Sequence, residues 1–341
     1  MSISPDLPAA WPHLAVEFAD PSTLAAHLAR PDTLAVFGFG APLQDAPTDP
    51  RYLRVPLQPL DAARLEVWRA AGPVAHGRDA GIAHADDGTL QFGAMELVEG
   101  EDDILTVGER AYAQLEAFRR RSGFPHLLRV WNYLDAIIEG DGDGERYRQF
   151  CVGRVRGLGA VDSATLPAAT AVGTHQGVRE GRRVLQVYWL ASREPGTPLE
   201  NPRQTSAWRY PREYGPQSPS FARAMLPPAS ASLPLLLSGT ASIVGHASRH
   251  VESLAAQLDE TLANLHSLLG AARTQRPALG AGFDASSRLK VYVRDAEDAD
   301  TVARLLDLRL GKDVPRLLLQ ADVCRRELRV EIEGMHGLEA C

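Results

Sequence analysis

The chain has 341 residues, 45% hydrophobic and 23% charged, with 36 basic and 43 acidic side chains and a formal charge of −7. These are the proportions of a globular protein, far from the signature of disorder, and the length suffices for two or three compact units. The acidic balance, with no run of Lys or Arg that supplies a basic face, argues against a binder that neutralises nucleic-acid phosphates, so an anionic ligand would need a few arginines converging in one pocket.

In chain order, Leu34–Phe39 and Tyr52–Leu57 read as strands and Asp61–Ala71 as a helix. Leu90–Leu97 then reads as a strand, Val107–Arg120 as a helix and Leu127–Leu134 as a strand. Glu145–Gly153 reads as a short helix after the acidic glycine-rich turn Glu139–Gly144, and Val184–Leu190 and Gln204–Tyr210 as a closing strand pair. The prolines of Leu226-Pro227-Pro228 mark a joint. Beyond it, Leu233–Leu237 reads as a strand ending in the tight turn Ser238-Gly239. Val251, Leu254, Leu258, Leu262, Leu265 and Leu269 recur at helical spacing, with Gly270 as the expected stop. Leu289, Val291 and Val293 alternate with Lys290, Tyr292 and Arg294 as a half-buried strand, followed by an acidic turn and a helix with Val302, Leu305, Leu306 and Leu310 inward. Strands Arg316–Val323 and Leu328–Glu333, joined by the polar turn Arg325-Arg326-Glu327, finish the pattern. The order strand, helix, strand, helix, strand, strand occurs twice, which implies α+β sheets each covered by two helices; a repeat of roughly 110 residues fitted three times, the first abbreviated, accounts for the length.

Several chemical signals are absent. The sequence has no G-x-S-x-G elbow, no P-loop and no G-x-G-x-x-G turn between strand and helix. His246 and His250 lack a third metal ligand at a recognisable spacing, and Glu139–Gly144 lacks the alternating ligands of a calcium loop, so no metal and no cofactor is expected. Cys151, Cys324 and Cys341 are too few and too irregular for a disulfide framework, and free thiols in a reducing compartment fit them better. No run reaches the roughly eighteen apolar residues of a membrane helix, and Asp6, Glu17 and Asp20 stand where a secretory leader would be basic and then apolar, so a cytoplasmic protein is expected.

One pattern is specific. Pro315-Arg316 opens a strand, and fifteen positions after Arg316 comes Glu331 in Val330-Glu331-Ile332-Glu333-Gly334. With Ser220-Phe221-Ala222-Arg223-Ala224 and Leu237-Ser238-Gly239 upstream, residues 216–335 resemble the RidA (YjgF) family, short chains that trimerise with active sites between subunits. Arg129-Val130-Trp131-Asn132-Tyr133, Gly144-Glu145-Arg146-Tyr147-Arg148-Gln149-Phe150-Cys151, Glu200-Asn201-Pro202-Arg203-Gln204 and the stretch from Tyr210-Pro211 through Tyr214-Gly215-Pro216 to Arg223 are similar to the signature of the chorismatases. In that family a single chain imitates the RidA trimer. The resemblance spans roughly residues 90–335 and implies three RidA/YjgF-like (chorismate-mutase-like) domains in a pseudo-trimer, at 1–88, 89–215 and 216–341, acting as a monomer.

The activity so implied is release of pyruvate from chorismate, giving 3-hydroxybenzoate, alone or with 4-hydroxybenzoate. The resemblance makes Glu331 the acid that protonates the enol ether. The residues alone do not separate Glu331 from Glu333, which share a strand face as on any edge strand. Cys324 stands seven positions before Glu331, where 3-hydroxybenzoate-forming chorismatases have a cysteine that controls the product. Ala241 is the candidate for the small residue that sorts products beside it, an alanine where glycine is expected. For the substrate carboxylates the RidA match implies Arg316, and the chorismatase match Tyr147, Arg148 and Arg223, with Arg146 and Arg154 able to exchange with Arg148; Tyr210 and Tyr214 are candidate hydrogen-bond donors. An imine or enamine deaminase of the RidA type and a non-catalytic small-molecule sensor remain the competing readings.

Overall fold

The structure, a computed structural model, describes residues 13–40, 48–160, 162–174, 178–179, 181–228 and 230–338. Asp6 and Cys341 lie outside the described residues.

In the N-terminal part, β1 (Leu14–Ala19), helix α1 (Leu24–Leu28), β2 (Thr33–Phe39), β3 (Tyr52–Val55), β4 (Gln58–Pro59) and β5 (Leu65–Ala70) follow one another. Four of the strands form a sheet in the order β1-β5-β2-β3. The helix expected over 61–71 is therefore a strand, antiparallel to both β1 and β2. The period is two: Leu65 and Val67 pack toward α1, while Trp68 and Ala70 join the central core on the other face.

The middle of the chain contributes β6 (Ala75–Asp79), β7 (Ile82–Asp86), β8 (Leu90–Val98), α2 (Ile104–Ser122), β9 (His126–Asp135), α3 (Arg146–Leu158), β10 (Ala168–Thr174), β11 (Val178–Arg179) and β12 (Arg182–Ser192). Asp103 caps α2 by accepting from the Thr106 amide at 2.8 Å, and left-handed Gly123 (φ 80°) ends it. Helix α3 packs directly on α2 because Gly153 and Gly157 bring backbone against backbone: a Cβ at Gly153 would run into the Leu105 carbonyl. Residues 204–210, expected as a strand, form an isolated bridge from Gln204 to Gly245 and a single 3-10 turn at Ala207–Arg209; the closing pair is β10 with β12, one on each side of β9.

The last part supplies β13 (Thr197–Leu199), β14 (Ala224–Leu226), β15 (Leu235–Ala241), β16 (Ile243–Val244), β17 (Ala247–Ser248), α4 (Leu254–Gln275), β18 (Arg288–Val293), α5 (Ala299–Leu310), β19 (Arg316–Gln320), β20 (Asp322–Val323) and β21 (Val330–His336). Helix α4 runs through Gly270, where there is open space and no turn. The Ser238-Gly239 turn is instead a bulge inside β15, between Leu237 and Thr240.

Strands cross between the units. β4 pairs with β19 at the edge of the C-terminal sheet, and β20 leaves that sheet to pair with β10 of the central one, Val172 opposite Val323. Helices cover the outer faces, α4 and α5 on the C-terminal sheet and α2 and α3 on the central sheet. The inner faces of all three sheets contribute to one core, with Phe37, Trp68, Phe92, Trp131, Tyr188 and Tyr292 among its residues; the Trp131 and Tyr188 rings stack at 4.6 Å. No helix among the described residues is long and apolar enough to cross a membrane.

Candidate active site

Alternation along β21 puts two acids on one face of the sheet. Val330 and Ile332 pack under the helices, so Glu331 and Glu333 point to the inner side of the sheet, where both are buried. Glu333 is enclosed by cations. Lys290 Nζ lies 3.0 Å from its carboxylate and 3.1 Å from that of Glu66, Arg129 donates at 2.6 Å, and Trp131 Nε1 at 2.7 Å. Thr170 Oγ1 also donates to it. Burial favours the protonated form of Glu333, but Lys290 and Arg129 outweigh it and hold the carboxyl below its ordinary range.

Glu331 has the opposite environment. No hydrogen bond reaches its carboxyl from the described residues, and it stands opposite Ala241 on β15 and Tyr292 on β18. Burial, then the charge of Glu333, pushes it up to about 8, against the pull of Arg129 and Arg223. The bulge in β15 makes room for it: a Cβ on Gly239 would overlap the Glu331 carboxylate, and the Gly239 amide donates to Thr170 Oγ1 at 3.0 Å.

A cavity of about 360 Å³ opens over Glu331, and Tyr147, Arg148, Tyr210, Tyr214, Arg223, Ala241 and Cys324 all line it. Tyr147 and Arg148 come from the first turn of α3. Cys324 follows β20, so the strand exchange to the central sheet carries it beside Glu331; burial, with Glu331 next, pushes its thiol up to about 12. It is a neutral thiol at pH 7. Burial likewise raises the Tyr147 hydroxyl well above its usual value, reinforced by Cys151, Cys324 and Glu331. Arg223 donates to Tyr210 Oη at 2.7 Å.

Arg316 does not join them. It starts β19 in register with Leu289, on the face of Leu318 that packs under the helices, and pairs with Asp307 of α5. Arg146 is likewise engaged elsewhere, by Glu99 and the Asp135 carbonyl. His246 contacts Tyr214 Oη at 3.3 Å and His250 contacts Glu260 at 3.3 Å.

The cavity wall also holds Arg154, Arg325 and Thr170. Arg325 lies over the ring of Tyr214, 4.0 Å from its centroid. Arg154 Nε, Arg223 Nε and Arg325 Nη2 are buried without a hydrogen-bond partner among the described residues. Buried N–H groups on guanidinium ions are costly without an acceptor, and a carboxylate is the acceptor that also matches their charge. Arg325 sat beside Cys324 in what reads as a polar turn, and Thr170 in a run of small residues. Only the tertiary arrangement collects them.

A chorismatase from Streptomyces rapamycinicus is 38% identical over 284 residues, covering 81% of this chain and 83% of the relative. The chain belongs to the chorismatase family. Residues 66–191 match the family described as chorismatase FkbO/Hyg5-like, N-terminal. A 3-hydroxybenzoate synthase from Streptomyces hygroscopicus is 33% identical over 280 residues, 79% of this chain and 80% of that one. A crystal structure of a chorismatase superimposes with a TM-score of 0.80 at 32% identity, covering 96% of this chain and 99% of the other. The mixed α+β architecture is thus that of a chorismatase over nearly the whole length.

Proposed function

We propose that this chorismatase-family enzyme cleaves chorismate to pyruvate and 3-hydroxybenzoate, alone or with 4-hydroxybenzoate, without a metal or organic cofactor. The observation that carries the reading is Glu331, a carboxyl pushed up to about 8 and so mostly protonated at neutral pH, in a cavity with three arginines that each keep one buried N–H nitrogen without a partner among the described residues. The relatives named chorismatase and 3-hydroxybenzoate synthase support it.

Chorismate has two carboxylates and an enol ether. Arg154, Arg223 and Arg325 supply forks for the carboxylates, with Arg148, Tyr147, Tyr210 and Tyr214 flanking them. Glu331 delivers its proton to the terminal methylene carbon, leaving an oxocarbenium ion. The neighbouring ring hydroxyl then attacks the ring carbon that bears the ether. The C–O bond breaks, its electron pair quenches the cation, and pyruvate departs. Opening of the resulting three-membered ring and loss of one ring proton give the aromatic acid. The atoms of chorismate equal those of the two products, so no water is consumed, whereas attack by water would give a non-aromatic dihydrodiol. In this reading Cys324, a neutral thiol beside Glu331, donates a hydrogen bond to the oxygen of the three-membered ring as it opens, and Ala241 shapes the space where that intermediate forms.

A RidA-type deaminase would use Arg316 together with Glu331, and these two lie on opposite faces of one sheet. Three sheets sharing a core within one chain support a pseudo-threefold monomer, although β6 and β7 join the central sheet ahead of the expected boundary at 88/89 and β13 joins the C-terminal sheet ahead of that at 215/216. The free thiols Cys151 and Cys324 fit a cytoplasmic site. A solution mass equal to one chain checks the monomer, and a stable trimer of full chains would contradict it. The activity is tested by following pyruvate from chorismate with purified protein: Glu331→Gln should be slower by roughly a hundred- to ten-thousand-fold, the usual range for loss of a general acid. Binding without pyruvate release would favour a sensor, and near-normal release from the variant would remove Glu331 from the role.

A further inference from the structure

Arg154 borders two cavities. Besides the one over Glu331 it lines a second, of about 520 Å³, formed between the helix layer and the end of the central sheet. Leu127, Val130, Leu158, Leu166 and Met225 make that second lining mostly apolar, and the ring of Tyr112 lies under the Arg154 guanidinium at 5.0 Å. Both cavities fall within the size range of small-molecule sites, roughly 300–1,000 Å³.

The charges of the second cavity can be accounted for one by one. Arg119 is held by Glu116 at 2.6 Å, and Asp162 accepts from the Ala164 amide at 2.9 Å on an exposed rim. Burial and Arg119 lower the pKa of His126, so its ring is neutral at pH 7. That leaves Arg154, 4% exposed, with its Nε unpartnered. An apolar chamber with one unmatched guanidinium in its wall is suited to a flat apolar ring bearing one carboxylate. A second phosphate-like or dianionic ligand would need a further free cation, which the described lining does not offer.

We propose that the second cavity is a separate binding site for an aromatic monocarboxylate, with the carboxylate on Arg154 and the ring among Leu127, Leu158 and Met225. Resting on the function proposed above, the natural ligand is the hydroxybenzoate product. It is formed on one side of Arg154 and taken up on the other, where it withdraws that arginine from the next chorismate. Product inhibition is then exerted from outside the reaction chamber.

The test uses 3-hydroxybenzoate as the probe and the full chain. In steady-state assays of the unaltered enzyme, 3-hydroxybenzoate should raise the KM for chorismate, and Leu158→Trp, which fills the second cavity, should raise its inhibition constant at least tenfold while chorismate turnover without added product persists. An unchanged inhibition constant in the folded Leu158→Trp enzyme would overturn the proposal. Calorimetric titration decides the point independently of turnover: Ala241→Phe, which obstructs the reaction chamber, should still bind 3-hydroxybenzoate, and adding Leu158→Trp should weaken that binding at least tenfold. Loss of all binding in folded Ala241→Phe, or undiminished binding in the double variant, would also overturn it. If chorismate is not turned over at all, the function proposed above fails, while the titration still tests the second cavity.

Discussion

Replacing Glu333 with Gln keeps its shape and removes the charge that stands two residues from Glu331 on the same strand face. At the strand rise of about 3.3 Å per residue the two carboxyls are roughly 7 Å apart, and an effective dielectric of about 20 makes their repulsion roughly 2.5 kcal/mol, nearly two pH units. Lys290 and Arg129, no longer neutralised by Glu333, pull in the same direction. Glu331 should therefore fall from about 8 toward roughly 6 in the variant. Because the protonated form is the active one, activity is lost as pH rises through that value. The basic limb of the kcat profile should move down by one to two units, with an activity loss of about twenty-fold at pH 7.5 and little loss at pH 5. Pyruvate release is measured across that range, with thermal melting to confirm folding, since breaking a buried ion cluster costs roughly 3–5 kcal/mol. A folded Glu333→Gln enzyme whose basic limb stays in place would refute the electrostatic reasoning.

Three further outcomes follow from the site. Glu331 is a carboxyl whose folded value, about 8, exceeds the ordinary 4.5, so its contribution to stability is intact below pH 4.5 and is lost as pH rises to 8. Glu331→Gln should thus melt higher than the unaltered protein at pH 8 and by much less at pH 5, with an upper bound of roughly 4–5 kcal/mol; equal pH dependence of melting in both would contradict it. Cys324→Ala should retain most pyruvate release and shift the ring product from hydroxybenzoate toward the dihydrodiol, and an unchanged product pattern would return Cys324 to a packing role. Chelator treatment should leave turnover intact, because no group of three His, Cys, Asp or Glu among the described residues is arranged to hold a metal; activity lost to chelator and restored by one metal would contradict this.

The C-terminal unit was the more legible half of the site because its strands alternate. Leu289, Val291 and Val293 against Lys290 and Tyr292, and Val330 and Ile332 against the two glutamates, assign faces directly. That Arg316 lies outside the cavity is not legible in the sequence, for the converse reason. Leu317, Leu318 and Leu319 are all apolar and buried, one facing the helices and two the common core, so the run carries no sign of which side the arginine takes. The strand β5 was read as a helix because its Leu65, Val67 and Trp68 fit both periods over so short a run. Strand β10, the partner of β20 and the source of Thr170, is a run of small residues without a clear period. The residue pattern alone does not separate Glu331 from Glu333; the family resemblance favours Glu331, and the physical reason, the position of Lys290 and Arg129 around Glu333, appears only in the tertiary structure.

The most direct measurement is chromatography of the ring product formed from chorismate in heavy-oxygen water, with pyruvate counted in parallel. If Glu331 protonates the enol ether and the neighbouring ring hydroxyl displaces it, the ring product is 3-hydroxybenzoate, with or without 4-hydroxybenzoate, equimolar with pyruvate and free of solvent oxygen in its hydroxyl. A labelled dihydrodiol as the main product, or no pyruvate at all, would contradict the account.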